Sequence, residues 1–165
     1  MNGKAVILPP NKCSTQQLDL FCDVVLKGEQ INTSIELLKE NINNCFLLGF
    51  YEIGGQIAGV AALKIPRDGY KKRVFNKANV KNDESKFEYE IGYVVTLPNY
   101  RGQGISSILI EELIKDKMSL NCFATTKSNS MRKILPALNF HKYGESYLND
   151  AKEILDLYVY YKVTT

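Results

Sequence analysis

A glycine-rich turn between a predicted strand and a predicted helix carries the residues of this sequence best suited to chemistry. The segment reads TLPNYRGQGIS, in which Gly102 and Gly104 let the backbone curl tightly and present no Cβ to a ligand. The first turn of the following helix has amide groups without intrahelical partners, at the positive end of the helix dipole. Arg101 adds a cation and Ser106 a hydroxyl. We therefore predict that this turn binds phosphate groups, and a diphosphate would fit it.

Two other kinds of glycine-rich phosphate loop do not fit this turn. A P-loop requires Gly-Lys-Ser/Thr, whereas Gly104 is followed by Ile105 and Ser106. A dinucleotide-binding turn requires a third glycine, where this chain has Ser107, and an acidic residue at the end of the next strand. The remaining alternative is a glycine-rich turn whose helix begins without a cap and binds nothing.

The cysteines and the single histidine argue against other chemistry. Cys13, Cys22, Cys45 and Cys122 are scattered without a C-x-x-C pair, so we expect no structural metal and four reduced, mostly buried thiols. His141 lies in a strand-like segment, where we expect it to be exposed or half-buried. A hydrolase that uses a histidine base is therefore not favoured.

The composition is that of one globular domain. The chain has 165 residues, 45% of them hydrophobic and 24% charged, which is enough apolar side chain for a core. The net charge of +3 does not require a nucleic-acid partner. No apolar run approaches the ~18 residues of a membrane span, and Met1–Lys12 does not resemble a signal peptide, so we expect a cytoplasmic, soluble protein.

The elements that must position the turn can be read along the chain. A strand over Lys4–Pro10 precedes two helices, whose starts are marked by the capping boxes Ser14-x-x-Gln17 and Thr33-x-x-Glu36. The first helix should end at Gly28, and Ile35, Leu38 and Ile42 should face inward from the second. Gly54-Gly55 then predicts a hairpin between two strands.

The second half alternates strands and helices after a basic, polar stretch. Arg67–Lys86 is predicted as a surface loop with at most one turn of helix. The remaining predicted elements are a strand over Phe87–Leu97, an amphipathic helix after the glycine turn, a strand over Asn121–Thr126, a helix over Ser128–Leu138, and strands over Phe140–Glu145 and Leu155–Val163. Antiparallel neighbours and one parallel crossover through Phe87–Thr126 predict a mixed sheet.

Two segments of this chain resemble the GNAT superfamily of acyl-CoA-dependent N-acyltransferases. YVVTLPNYRGQGISSILIEEL is similar to the superfamily's pyrophosphate loop, R-x-x-G-x-G/A, with Ser106 in the place of the usual glycine or alanine. SNSMRKILPALNFHKYG is similar to its late helix, with Ser128 in the position of an asparagine and Asn129 one step away. Leu135 occupies the position where many members carry the tyrosine that protonates the leaving thiolate.

The resemblance implies a fold and a co-substrate. The fold would be a single α/β domain over residues 1–165, a central mixed and mostly antiparallel sheet flanked by about four helices. Acetyl-CoA would be the co-substrate, without a metal. Main-chain amides near the end of the strand would hold the pantetheine arm and polarise the thioester, and the loop would bind the diphosphate; the implied residues are Val94, Val95, Thr96, Arg101, Gly102, Gln103, Gly104, Ile105, Ser106 and Asn129.

The resemblance also implies a general base on the strand before the loop. Glu88 and Glu90 both qualify, at a spacing of two that should place them on one face with Gly92 and Val94, and Glu88 matches the superfamily position better. Tyr143 and Tyr93 are candidates for the acid, although water could also protonate a thiolate whose pKa is roughly 8.5.

The implied activity is acetylation of a primary amine on a small molecule or a protein. The cations of Arg67–Lys86 would suit an acidic acceptor such as a phosphorylated metabolite, an acidic protein segment or tRNA, or they are merely solvated. A non-catalytic acyl-CoA-binding module and an acylase of aminoacyl-tRNA are the alternatives. A nucleic acid is otherwise not expected, nor is a membrane, and a homodimer remains open.

Overall fold

The polypeptide folds into strands and helices in an order close to the one predicted. The structure, a computed structural model, describes residues 2–28, 33–115 and 121–162. Within them the helices are α1 (Thr15–Gly28), α2 (Ile35–Asn43), α3 (Asp68–Lys77), α4 (Ile105–Lys115) and α5 (Asn129–Ala137). The strands are β1 (Lys4–Leu8), β2 (Leu47–Ile53), β3 (Gln56–Lys64), β4 (Tyr89–Thr96), β5 (Cys122–Thr126), β6 (His141–Lys142), β7 (Tyr147–Leu148) and β8 (Ile154–Tyr160).

The strands form a mixed sheet in the order β1-β2-β3-β4-β5-β8-β6, with β7 paired to β8. Strands β1 and β2, β2 and β3, and β5 and β8 run antiparallel, whereas β4 and β5 run parallel, with Tyr89 opposite Cys122. The parallel pair is joined through α4, which confirms the predicted crossover. The mixed, mostly antiparallel sheet with flanking helices is also confirmed. No helix in the described part of the chain is long and apolar enough to cross a membrane.

The described residues fall into two compact units, the first within Met1–Lys64 and Ile91–Asp116, the second within Ile65–Glu90 and Lys117–Thr165. In the first unit α1 buries Phe21, whose ring packs edge-on against Phe50 at 5.5 Å between centroids. Helix α4 packs on the same strands, where a Cβ at Gly49 would lie 3.2 Å from Leu109. The predicted capping box of α1 is confirmed, since the Ser14 amide donates to Gln17 Oε1 and the Gln17 amide to Ser14 Oγ.

The second unit has a core of aromatic rings, and this core corrects one prediction. Phe75 is fully buried, stacked on Phe87 and edge-on against Phe123. It belongs to α3, which has ten residues where a loop was predicted, so that prediction was wrong. Tyr70, Val74 and Phe75 lie inward on one stripe, and burial of this stripe stabilises a helix whose remaining residues are mostly polar.

The ends of the chain's later strands also differ from the prediction. The predicted strand Phe140–Glu145 is only two residues long, His141–Lys142, because the chain turns at Gly144 after the Tyr143 amide has donated to the Leu157 carbonyl of β8 at 2.8 Å. Gly144 has φ +72°, and a Cβ there would lie 2.1 Å from the Ala78 carbonyl oxygen. Strand β7 was not predicted. The last predicted strand is confirmed as Ile154–Tyr160, and Val163 lies outside the described residues.

The start of α2 was predicted one residue too early. Ser34, not Thr33, is the N-cap, and its Oγ accepts from the Leu37 amide at 3.2 Å. Thr33 Oγ1 is instead buried without a hydrogen-bond partner among the described residues. Leu38 and Ile42 face the core as predicted, but Ile35 is half exposed.

We therefore predict opposite behaviour for two neighbouring hydroxyl residues. Ser34→Ala should lower the free energy of unfolding by about 0.5–2 kcal/mol, because the Leu37 amide loses its acceptor. Thr33→Ala, the matched control, should be neutral or slightly stabilising, because it removes a buried hydroxyl that has no partner among the described residues. Urea denaturation followed by circular dichroism measures both, and a larger loss for Thr33→Ala would contradict the assignment.

Candidate functional site

The glycine turn takes the open conformation that its sequence predicts. Gly102 and Gly104 have φ values of +78° and +74°, in the left-handed region that strains other residues. A Cβ at either position would meet no protein atom within 4 Å, so the space beside the backbone is open. Arg101 and Gln103 are exposed beside them. The turn can therefore receive a ligand directly against its main chain at the start of α4.

The turn is positioned by close packing of its two flanks. At the end of β4 the Leu97 amide donates to the Ala58 carbonyl at 2.9 Å, and a short 3-10 turn over Pro98–Tyr100 follows. Ile105, the first residue of α4, is 2% exposed. A Cβ at Gly59 would lie 2.9 Å from the Ile105 side chain, so the absence of a side chain on β3 lets α4 begin this close to the sheet.

Three of the predicted binding residues meet at the mouth of the turn. The hydroxyls of Thr96 and Ser106 lie 2.9 Å apart, and Arg101 Nε donates to the Thr96 carbonyl at 3.4 Å. Ser106 therefore directs its hydroxyl to Thr96, which shows how a serine is accommodated where the superfamily has glycine or alanine. Val94 is half-buried, and Val95 is buried with its side chain against Gly28.

Strand β4 is irregular at Tyr93, which has φ +52°. For a tyrosine this conformation is strained, at a cost of order 1–3 kcal/mol, and the surroundings must impose it. The Tyr93 ring packs edge-on against Phe21, and Lys64 Nζ lies 4.7 Å from its centroid. The regular alternation predicted along the strand from Glu88 to Val94 is interrupted at this residue.

The two candidate bases have different environments. Glu88 is exposed and precedes β4, whereas Glu90 lies in β4 and is 4% exposed. The Tyr70 hydroxyl donates to Glu90 Oε1 at 2.8 Å. Burial, and then the neighbouring Glu90 charge and hydrogen bond, raise the pKa of Tyr70 well above its usual range. Sequence reasoning missed Tyr70 because α3 was read as a loop, although Tyr70 and Val74 are spaced as on one helical face.

Tyr143, the candidate acid, is occupied by a carboxylate. Its hydroxyl makes a short hydrogen bond to Asp83 Oδ2, and Lys86 Nζ lies 2.7 Å from Asp83 Oδ1. The bond to Asp83, burial and the charge of Asp83 raise the pKa of Tyr143 to about 12. The Lys86 and Tyr143 hydrogen bonds in turn lower the pKa of Asp83. The hydroxyl proton of Tyr143 is therefore engaged in a hydrogen bond to Asp83.

Asn129 belongs to a polar cluster around a buried carboxylate. Its Oδ1 accepts from Arg132 Nη1 at 3.1 Å, and Arg132 Nε donates to Asp156 Oδ2 at 2.7 Å. Ser146 and Lys142 also face Asp156, beside a cavity of about 490 Å³. Burial alone would raise the pKa of Asp156, but the hydrogen bonds of Ser146, Arg132 and Lys142 outweigh it and lower the pKa.

The remaining candidate groups lie as follows. Leu135, which the resemblance places in the position of a tyrosine, is fully buried in α5. Cys22, Cys45 and Cys122 are buried, as predicted, and burial raises the pKa of Cys122 to about 12. His141 is exposed on β6, which agrees with the prediction. No group of three histidine, cysteine or acidic side chains able to hold a metal ion occurs within residues 2–28, 33–115 and 121–162.

The sequence matches a protein-family model. Residues 16–144 match the model of the acetyltransferase (GNAT) family. This range contains the glycine turn, both candidate carboxylates and Tyr143. A comparison with curated proteins gave no significant match.

Solved structures share the fold at low sequence identity. An acetyltransferase of the GNAT family from Streptococcus agalactiae is 14% identical with a TM-score of 0.71, covering 97% of this chain and 96% of that one. The ribosomal-protein-S18-alanine N-acetyltransferase from Escherichia coli is 14% identical, with a TM-score of 0.67 and coverage of 98% and 96%. NAA60 from Arabidopsis thaliana, in complex with acetyl-CoA, is 17% identical, with a TM-score of 0.67 and coverage of 96% and 98%.

The polar cluster around Asp156 leads to a prediction about pH. Asp156→Asn should lower the free energy of unfolding at pH 7 by about 1.5–3 kcal/mol, because charge-assisted hydrogen bonds are lost. The folded protein lowers the pKa of Asp156 below its unfolded value of about 3.9, so the wild-type advantage is present above that pH and disappears as the pH falls further.

Denaturation at a series of pH values measures this difference. Asp150→Asn is the control, because Asp150 pairs with Lys77 at 3.6 Å while its side chain is fully exposed. It should change stability by less than about 0.5 kcal/mol at every pH. A wild-type advantage over Asp156→Asn that persisted unchanged at low pH would contradict the role of the carboxylate.

Proposed function

We propose that this chain, which belongs to the acetyltransferase (GNAT) family, transfers an acetyl group from acetyl-CoA to a primary amine of a small molecule or a protein by direct attack of the amine. The observation that carries the proposal is the open left-handed turn at Gly102 and Gly104 before α4. Its main chain faces free space where a diphosphate can approach, and the helix dipole favours an anion there.

The residues beside the turn suit acetyl-CoA. Arg101 is exposed and gives a fixed positive charge next to the diphosphate site, and Gln103, Ile105 and Ser106 contribute main-chain amides. We assign the pantetheine arm and the thioester carbonyl to amides of Val94, Val95 and Thr96. Asn129 is exposed at the start of α5, where its amide is a further polar group for the coenzyme. When bound, the coenzyme supplies the thioester that is attacked.

For the general base we favour Glu90 over Glu88, which the sequence ranked first. Glu88 is exposed, so solvent rather than protein surrounds its carboxylate. Glu90 is buried and oriented by a hydrogen bond, which are the conditions under which a carboxylate accepts a proton in a defined geometry. The base takes a proton from the amine, directly or through water, as the nitrogen attacks.

The proposed acetyl transfer requires no strong general acid. The nitrogen–carbon bond forms, the carbon–sulfur bond breaks, and the sulfur leaves as a thiolate, which solvent can protonate because a thiol pKa is roughly 8.5. Tyr143 is engaged with Asp83, and Leu135 has no proton to give, so water is the better candidate for the acid. Tyr93 has its ring packed between Phe21 and Lys64, which does not favour it either.

The acceptor class stays broad. The Escherichia coli structure bears the name of an acetyltransferase for a ribosomal-protein alanine, which supports a protein amine as one option. Exposed cations on and beside α3, namely Arg67, Lys72 and Arg73, would suit an acceptor with negative charge. We retain the cytoplasm as the proposed location.

A binding prediction tests the glycine turn. Gly104→Ala should weaken acetyl-CoA binding at least about 10-fold, because the new Cβ enters the open ligand space and the left-handed backbone is strained. Gly55→Ala is the matched control, since Gly55 has φ +79° and equally open space in the β2–β3 turn. Both variants should lose a similar stability, about 1–2 kcal/mol.

Isothermal titration calorimetry with acetyl-CoA separates the two variants. Weaker binding in Gly104→Ala alone supports the site. Equal affinities in the wild type and both variants, or no binding by the wild type, would contradict it.

A separate prediction concerns turnover. Glu90→Gln should lower kcat by about 10²–10⁴-fold while acetyl-CoA still binds, because the amide cannot accept the proton. Glu88→Gln should leave kcat unchanged, since that side chain is solvated. Release of free thiol from acetyl-CoA over a panel of primary amines and peptides measures both.

Other outcomes of this experiment have clear meanings. Loss of turnover in Glu88→Gln alone would reverse the choice of base. Coenzyme binding by the wild type without thiol release for any amine would favour the non-catalytic acyl-CoA-binding module.

A further inference from the structure

The hydrogen bond between Tyr70 and Glu90 connects α3 to the proposed base. We propose that Tyr70 is a positioning residue, whose phenol holds the Glu90 carboxylate in the orientation needed to accept the proton of the attacking amine. This inference rests on the proposed function. Tyr70 lies in α3, outside the glycine turn.

The helix that carries Tyr70 is fixed by contacts of its neighbouring residues. The Lys71 ammonium, next along the helix, donates to the Phe87 carbonyl at 3.1 Å and ties the first turns of α3 to the segment before β4. Val74 and Phe75 bury the inner face of the helix. The guanidinium of Arg73 lies 5.9 Å from the Tyr70 ring centroid. The phenol is therefore presented to Glu90 by a fixed helix rather than by a loop.

In this pair Tyr70 is the hydrogen-bond donor and Glu90 is the acceptor. Tyr70 keeps its proton over the working range, because burial and the Glu90 charge raise its pKa well above 10. It therefore donates to Glu90 Oε1 at 2.8 Å, and the bond is strongest when the carboxylate is ionised. Holding one oxygen fixes the rotamer of the side chain, which is the kind of support that gives a buried base a defined geometry.

Two further groups surround this pair. Burial, and then the charges of Glu90 and Asp156, raise the pKa of Tyr147 on β7 to about 12. Its hydroxyl is buried and has no hydrogen-bond partner among the residues described. Thr125 on β5 acts in the opposite sense and lowers the pKa of Tyr70 against the larger effects of burial and of Glu90. Tyr147 is thus a second phenol near the same charge, without the hydrogen bond that defines Tyr70.

The test compares two phenol deletions. Tyr70→Phe keeps the ring and should lower kcat/KM at neutral pH by about 10- to 100-fold, the range expected when a charged group loses a hydrogen bond. The loss should fall on kcat while the KM for acetyl-CoA stays unchanged, because the Tyr70 phenol contacts the proposed base. Tyr147→Phe removes a hydroxyl of the same type and should change neither. Acetyl-CoA and the panel amine with the highest wild-type kcat/KM are the substrates.

A second measurement reports the contact without turnover. In protein labelled at the tyrosine ring carbon that bears the hydroxyl, the NMR titration of Tyr70 should move to lower pH in Glu90→Gln. An unchanged Tyr70 titration would show that the pair does not exist in solution and would overturn the inference.

The outcomes separate this inference from the proposed function. If the wild type is active and Tyr70→Phe keeps its kcat, or changes only in melting temperature, the positioning role is wrong while acetyl transfer stands. If the wild type binds acetyl-CoA but acetylates no amine, the proposed reaction is wrong and the positioning role falls with it, even where the NMR coupling is present.

Discussion

The close approach of α4 to β3 is the constraint on which the glycine turn depends. Ile105 is buried over Gly59, and any larger residue on β3 would force the start of the helix away from the sheet. With that point fixed, the chain passes from the end of β4 into the helix through Leu97–Gly104, and its last residues before α4 are Arg101–Gly104. Gly102 and Gly104 make this connection possible by adopting left-handed backbone conformations. The first turn of α4 then presents amide groups that have no partner within the helix.

In the second unit, the aromatic core has the corresponding role. Phe75 packs against Phe87 and Phe123, and this burial is what makes a helix out of a segment rich in lysine and arginine. The same packing carries Tyr70 to Glu90. A buried carboxylate is costly unless it is hydrogen-bonded, so the Tyr70 phenol both stabilises the fold and orients the proposed base. The Tyr143–Asp83 pair is a second hydrogen bond from a phenol to a carboxylate in this unit.

The failures of sequence reasoning have specific physical causes. Arg67–Lys86 was predicted as a loop because its seven lysine and arginine residues outnumber three inward residues, Tyr70, Val74 and Phe75, whose burial becomes favourable only when a core covers them. Ser34 rather than Thr33 caps α2 because both hydroxyls satisfy the capping pattern, and only the backbone path decides which one reaches the Leu37 amide. The choice between Glu88 and Glu90 could not be made from spacing, since both have the same parity along a strand.

Local chemistry in the sequence was sufficient for the glycine turn, the Ser14–Gln17 capping box, the Gly54-Gly55 hairpin and the crossover from β4 to β5. These features depend on backbone freedom and on neighbours a few residues away, which a sequence states directly. The partners of Glu90, Tyr143 and Asn129 were decided only by tertiary structure, because each comes from a distant segment. Burial and charge at such contacts depend on which segments meet, and that follows from packing of the whole core rather than from any local pattern.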